Sequence, residues 1–295
     1  MKTARADLAT PGRALSRSFP VRRRWLLHLP LLAGAFCMVY PLLWMIGSSF
    51  KPDSEIFVEL SPIPHRLDLA NYVSGWTLGS GTTFATFYVN SFIVCMGAIV
   101  GNLLSCSLAA YAFARMRFRF KRFWFALMLG TLMLPFHVTV VPQYIVFNEL
   151  GWTNTFLPLI VPKFFAVDAF FIFLMVQFIR GIPVELEEAA MIDGCSRFGM
   201  FRRIILPLIK PALVTTTIFT FIWTYNDFFS QLLYLNAEEN YTLSLGLRQF
   251  LDSSGKSSWG PMFAMTTLSL VPVIAVFLFF QRRLIEGIAT TGLKG

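Results

Sequence analysis

The sequence predicts an all-α, polytopic membrane protein with six transmembrane helices and one structured loop outside the bilayer. Three observations carry this expectation. Of the 295 residues, 56% are hydrophobic and only 14% are charged, whereas soluble chains carry about 25% charged residues. The apolar residues fall into long blocks, each exceeding the ~20 residues that a helix needs to cross a ~30 Å hydrocarbon core. Between the blocks, Lys and Arg collect on alternate connections, as they do where a chain threads back and forth through a membrane.

The elements follow in order. Residues 1–24 form a basic tail. The first span covers about 25–48 and contains Pro41. It is too long for a signal-peptide core and no small-x-small cleavage site follows it, so it is expected to be retained. Residues 49–82 are polar, with Pro52, Pro62 and Pro64. The second span, about 85–112, contains Gly97-Ala-Ile-Val-Gly101. Small residues four apart let helices approach closely, so this pair predicts packing. A basic turn follows (Arg115, Arg117, Arg119, Lys121, Arg122). The third span, about 123–146, holds Pro135 and Pro142, which kink spans and free carbonyls. The fourth covers about 156–179 and includes Lys163. The loop 181–207 comes next, then a fifth span over 208–234, a polar segment over 235–260 and a sixth span over 261–281. Residues 25–283 are thus one transmembrane domain, and 284–295 a short tail.

Six spans place both termini on one side. That side, with the basic turn and the central loop with its flanks, carries 20 of the 25 Lys and Arg; the other carries Lys51, Arg66, Arg248 and Lys256. The positive-inside rule then puts the termini and the central loop in the cytoplasm. The same split accounts for the net charge of +9 as membrane topology, and no nucleic-acid partner is expected.

The central loop is unusual for a connection of about 25 residues. Pro183 precedes three acids, Glu185, Glu187 and Glu188, which suits the positive end of a helix dipole. Gly194 interrupts the element, and Phe198, Phe201 and Ile205 then recur at helical spacing among Arg197, Arg202 and Arg203. Two short amphipathic helices joined at Gly194 are expected, offering a surface to another molecule.

Other chemistries are excluded. Gly255-Lys256-Ser257 looks like the end of a phosphate loop, but position 250 is Phe where that motif needs glycine. No nucleotide site and no bound cofactor are expected in this chain. Cys37, Cys95, Cys106 and Cys195 have neither paired nor metal-ligand spacing, and His28, His65 and His137 are scattered. Asn240-Tyr-Thr242 is a glycosylation sequon on an outer loop. An ion-coupled transporter would want inverted repeats and acids in several spans, and neither is visible. A membrane scaffold without transport is the remaining alternative.

The fifth span has the most polar apolar segment, Trp223-Thr-Tyr225-Asn226-Asp227-Phe-Phe-Ser230-Gln231. Read as one helix, it puts Trp223, Asp227 and Gln231 on one face, at i, i+4 and i+8. An acid in a span usually faces protein or a water-filled path, and aromatic rings beside amide and carboxylate groups suit sugars. The group is therefore a candidate substrate path, with structural capping by Asp227 as the competing reading.

The loop also resembles a known pattern. Glu188-Ala189-Ala190, three residues, Gly194, nine residues and Ile204-x-Leu206-Pro207 match the EAA loop of bacterial ABC importer permeases at every fixed position. Ser49-Phe-Lys51, Leu108-Ala-Ala-Tyr-Ala-Phe-Ala-Arg115, Leu150-Gly-Trp-Thr-Asn-Thr155 and the closing residues from Gln281 are similar to the carbohydrate-uptake subfamily. The resemblance covers about 30–295 and is closest to its six-span, MalG-like members. It implies a permease subunit in the bacterial inner membrane that does no covalent chemistry. Its implied partners are a second, MalF-like permease, an ABC ATPase dimer that uses ATP and Mg, and an extracytoplasmic substrate-binding protein. It further implies that the EAA loop is a cytoplasmic coupling helix seated in an ATPase cleft. Glu188, Ala189, Ala190, Asp193, Gly194, Arg197, Leu206 and Pro207 are the candidate contacts, and 290–295 a further one. The implied cargo is a sugar, oligosaccharide, glycoside or polyol.

Overall fold

The computed structural model describes residues 21–77, 81–251 and 258–292, and among these it is helical with no β-strand. Four helices are long and apolar enough to cross a bilayer, and two bent pairs bring the number of spans to as many as six. The phosphate-loop-like stretch at 255–257, residues 1–20 and residues 293–295 lie outside the described residues.

Helix α1 (Val21–Ser48) passes through Pro30 and Pro41 without a break. Two short helices, α2 (Asp53–Ile56) and α3 (Ala70–Trp76), fold the polar segment that follows. Lys51 is buried there, its ammonium donating to the carbonyls of Glu59 (2.9 Å) and Ser61 (2.7 Å). A buried ammonium needs such acceptors, so this lysine staples the loop back on itself.

Helix α4 (Phe84–Arg115) is the pillar of the fold. Its 32 residues span about 48 Å at 1.5 Å per residue. Buried residues recur around it: Phe87, Val94, Ala98, Cys106, Ala110 and Tyr111. Asn102 donates from Nδ2 to Thr220 Oγ1 across a helix interface (3.1 Å), the kind of polar bond that joins helices in lipid. The expected small-residue packing is realised. A methyl on Gly97 would lie 2.8 Å from the Ile160 side chain, and one on Gly101 would lie 2.9 Å from Lys163 Cβ. Gly101→Val is accordingly expected to destabilise the chain by about 1–3 kcal/mol through overpacking. A lowered thermal midpoint in detergent would register it; an unchanged midpoint would mean that the Lys163 segment yields freely.

Three of the expected spans are interrupted. The third is two helices, α5 (Lys121–Thr131) and α6 (Phe136–Glu149), bent by 99°. The interruption falls at Leu134-Pro135, inside the expected span 123–146. Pro135 has no N–H for the preceding turn, and it pushes Leu134 out of the helical region. Pro142, inside α6, breaks nothing. The fourth span begins as α7 (Leu157–Ile160), tightens into a 3-10 turn over Val161–Phe165, and unwinds at Ala166 (φ 55°) before α8 (Ala169–Arg180). The loop follows as α9 (Glu185–Ile192), α10 (Arg197–Met200), a π turn at Phe201–Ile205 and α11 (Leu206–Leu208). A 75° bend then leads into α12 (Lys210–Asn226), where Pro211 has no N–H for the carbonyl of Pro207. The fifth span is not continuous to 234. It stops at Asn226, Asp227 is extended (ψ 106°), and α13 (Phe229–Tyr234) restarts at an angle set by that residue.

Helix α14 (Leu243–Gly246) returns the chain to α4. Helix α15 (Trp259–Gly292) passes through Pro272 unbroken and runs on beyond 281. The four cysteines are free thiols.

Candidate functional site

Two regions stand out: the loop between α8 and α12, and a cavity where the three interrupted spans meet.

The loop is built as its residues dictate. Helix α9 carries Glu185, Glu187 and Glu188 in its first turn. It ends in a Schellman motif: Cys195 N–H donates to the Ala190 carbonyl (2.9 Å) and Gly194 N–H to the Met191 carbonyl (3.1 Å). This closure needs a left-handed residue after the cap, and Gly194 supplies it with φ +77°. Ser196 then caps α10, its hydroxyl oxygen accepting from Gly199 N–H (3.1 Å). The product is a knuckle of two short helices turning at Gly194, as the sequence led one to expect.

Its surface is open. Glu188, Ala189, Asp193, Gly194, Arg197 and Pro207 are exposed, and Ala190 and Leu206 are half-buried. Ile192 is 87% exposed and Phe198 67%, so apolar groups flank the charged ones around the turn.

Glu187 is the exception, 6% exposed among exposed neighbours. Its Oε1 lies 2.5 Å from Arg115 Nε. The two atoms form no aligned hydrogen bond, so the contact is an ion pair held by proximity. Arg115 ends α4, and its Nη2 also donates to the carbonyls of Ile179 (2.8 Å) and Ile182 (2.5 Å). Removing one partner of such a buried pair typically costs about 3–5 kcal/mol. Sequence reasoning took Arg115 as a topology charge and Glu187 as a dipole acid. Nothing in their spacing pairs them, since the contact depends on how α8 turns into the loop.

The cavity has a volume of about 720 Å³. Leu134, Phe136 and Thr139 reach it from the α5–α6 break, Lys163 and Asp168 from the α7–α8 break, and Trp223, Asp227 and Ser230 from the α12–α13 break. Lys163 Nζ lies 2.9 Å from Asp168 Oδ2. Asp227 Oδ1 accepts from Ser230 N–H (3.0 Å), so this carboxylate both caps α13 and faces the cavity. Trp223 stacks on Phe171 with ring centroids 5.2 Å apart.

The predicted path residues separate here. Trp223 and Asp227 line the cavity. Tyr225 and Gln231 do not. Tyr225 is buried and donates from its hydroxyl to the Ser269 carbonyl (2.9 Å). Gln231 is 2% exposed, donates to the Thr224 carbonyl (3.1 Å) and accepts from the Thr242 hydroxyl. Asn226 is exposed and donates back to the Ile222 carbonyl (2.8 Å). The single-face reading fails because the helix ends at Asn226, so 223, 227 and 231 share no common helix. Lys163 and Asp168 were missed as site residues; a cation within an apolar block and an acid five residues on was the available signal. Among the described residues, no three His, Cys, Asp or Glu side chains come together as metal ligands.

Interrupted membrane helices around a mainly apolar cavity with a few charged groups, with a structured loop projecting from the bundle, define the membrane subunit of a transporter. The chain belongs to the binding-protein-dependent transport system inner membrane component family, whose model matches residues 101–289. It is 37% identical to the probable ABC transporter permease protein YurM of Bacillus subtilis, over 93% of this chain and 91% of that one. It is 34% identical to the arabinooligosaccharides transport system permease protein AraQ of Halalkalibacterium halodurans (92% and 96% covered). It is 32% identical to the diacetylchitobiose uptake system permease protein DasC of Streptomyces coelicolor (88% and 92%). The fold is that of a chain in the crystal structure of a bacterial ABC transporter involved in the import of the acidic polysaccharide alginate, with a TM-score of 0.78 at 24% identity over 92% of this chain and 99% of that one. The protein is a transport permease and a multi-pass membrane protein.

Proposed function

We propose that this chain is one of two permease subunits of an ATP-driven importer of neutral carbohydrate, and that its exposed knuckle receives the motion of a partner ATPase. The observation that carries the reading is the contrast within the loop. Glu188, Asp193, Gly194 and Arg197 stand free, while the segments on either side are anchored in the bundle. A surface built to dock needs accessible charge and apolar groups together, and Ile192 and Phe198 supply the latter. Ala189 and Ala190 permit close approach, and Leu206 and Pro207 complete the motif. The excess of Lys and Arg on the termini and loops of one side supports a cytoplasmic knuckle, where an ATPase dimer using ATP and Mg is available. A MalF-like second permease would close the cavity, and an extracytoplasmic binding protein would deliver the solute.

The relatives' names point to oligosaccharides. The cavity agrees in chemistry. It is lined by the aromatic side chains of Trp223, Phe147 and Tyr234 and by hydroxyl and amide groups at Thr139 and Gln143. Its cation, Lys163, is paired with Asp168, and Asp227 adds a further negative charge, an arrangement unsuited to an acidic sugar.

Trp223→Ala and Asp227→Asn are each expected to slow uptake by about 3–10-fold, the scale of one aromatic or hydrogen-bonding contact. Asn226→Ala should leave it unchanged. Uptake of arabino-oligosaccharides and diacetylchitobiose, with binding to the purified binding protein measured in parallel, tests this. Equal rates for all three variants would remove the cavity from the path, and failure of an ATPase to co-purify would remove the transport reading.

A further inference from the structure

The exposed knuckle acts on the spans only if something stiff joins it to them. Tyr111 and Arg115 sit at i and i+4, on one face at the end of α4. Arg115 reaches Glu187, before the turn, and the carbonyls of Ile179 and Ile182 at the end of α8. Tyr111 holds the other half: its ring centroid lies 5.3 Å from that of Phe201, and its hydroxyl lies 3.6 Å from Met200 Sδ. Between the two grips, Gly194 has no atom within 4 Å of where a Cβ would stand. The loop is thus held twice by one helix and left free at its hinge.

We propose that the Arg115–Glu187 pair is a positioning device that converts displacement of the knuckle into displacement of α4 and α8, a role that rests on the transport reading above. An exposed ion pair would be too weak and too screened to carry this. Here the side chains are 11% and 8% exposed, so separating them leaves an unpaired charge in a dry site. The guanidinium fork meets acceptors on both elements at once, which a lysine ammonium does not reproduce. Helix α8 carries the motion to the cavity through Asp168 and Ala169 at its start, both of which line it.

The test uses the complete complex of both permeases and the ATPases in lipid nanodiscs, with its cognate binding protein added in the form that carries solute. Arg115→Lys is expected to assemble in normal amount and Glu187→Gln in reduced amount, since it leaves a buried charge unpaired, and both should keep the basal ATPase rate per assembled complex. Stimulation by the binding protein should fall by at least about tenfold, which is well within what losing a buried charged partner can cost. Glu187→Asp, which keeps the charge, should recover part of it. Full stimulation in both variants, with the unaltered complex also stimulated, overturns the lever alone. So does a loss of yield and basal rate that leaves the stimulation ratio intact, which is the mark of a merely structural pair. Should Glu187→Gln fail to insert, Arg115→Lys, which keeps its charge, decides by the same ratio. An unaltered chain that recruits no ATPase sinks the transport reading and the lever together.

Discussion

Gly194→Asp is expected to reduce ATP-driven uptake to less than about a tenth while the protein still inserts and folds. The backbone at 194 is left-handed, with φ +77°, where Asp, like Asn, pays less than the about 1–2 kcal/mol of other residues with a Cβ, so the larger effect is the charge placed on the docking surface. No neighbour stands within 4 Å of the new Cβ, so the strain is confined to the turn and the bundle is not disturbed. What changes is the closure of α9 and the charge at the tip of the knuckle. Glu188→Lys should act in the same direction by another route. Glu188 is exposed and belongs to no ion pair among the described residues, so reversing its charge leaves the fold alone and alters the docking surface. Gly194→Asn is the informative control, because Asn and Asp both tolerate left-handed backbone and differ in charge; it should keep most of the uptake. Immunoblots of membranes, paired with uptake and ATPase assays, separate loss of coupling from loss of protein. Normal uptake by both Gly194→Asp and Glu188→Lys would remove the knuckle from the mechanism.

Gly246→Ala should do the opposite, removing the protein rather than uncoupling it. Helix α14 lies so close to α4 that a methyl at 246 would stand 2.2 Å from Phe87 Cδ2 and 2.6 Å from its Cε2. Phe87 cannot give way. It is fully buried and packs edge-on against Phe84, with centroids 5.7 Å apart. Its neighbourhood is further pinned by Leu243 N–H donating to Ser91 Oγ (2.7 Å) and by Asn90 Nδ2 donating to the carbonyls of Glu239 (2.8 Å) and Tyr241 (2.9 Å). Overpacking of this kind costs about 1–3 kcal/mol and occasionally more. The clash here is with a ring rather than a flexible chain end, which places the expected cost at the upper end of that range. The measurable result is a sharp fall in inserted protein and a lowered thermal midpoint in detergent. A normal amount of stable protein would show that α14 can lift from α4 without consequence.

The cases in which sequence reasoning succeeded and failed share a physical basis. The knuckle was legible because its determinants are local. Pro183, the acids that follow it and Gly194 act on backbone within a few residues, and local chemistry is written in order along the chain. The close approach at Gly97 and Gly101 was legible for the same reason: a missing side chain is visible at its own position. The path residues in the fifth span were only half legible. Helical periodicity holds as long as the helix does, and the break at Asp227 moved Gln231 out of register with Trp223. The Arg115–Glu187 contact was not legible. Either residue alone is an ordinary charge at a membrane edge, and only the turn from α8 into α9 makes them partners.

By itself the sequence determined that this chain is a helical membrane protein, where four of its spans lie to within a few residues, and that its central loop bends at Gly194. These follow from hydropathy over ~20 residues and from backbone chemistry within a turn. The tertiary structure alone decided which spans are interrupted rather than kinked, that three interruptions converge on one cavity, and that the loop is tied to α4 by a buried ion pair. Those depend on distances between residues far apart in the chain, and packing, not local propensity, sets such distances.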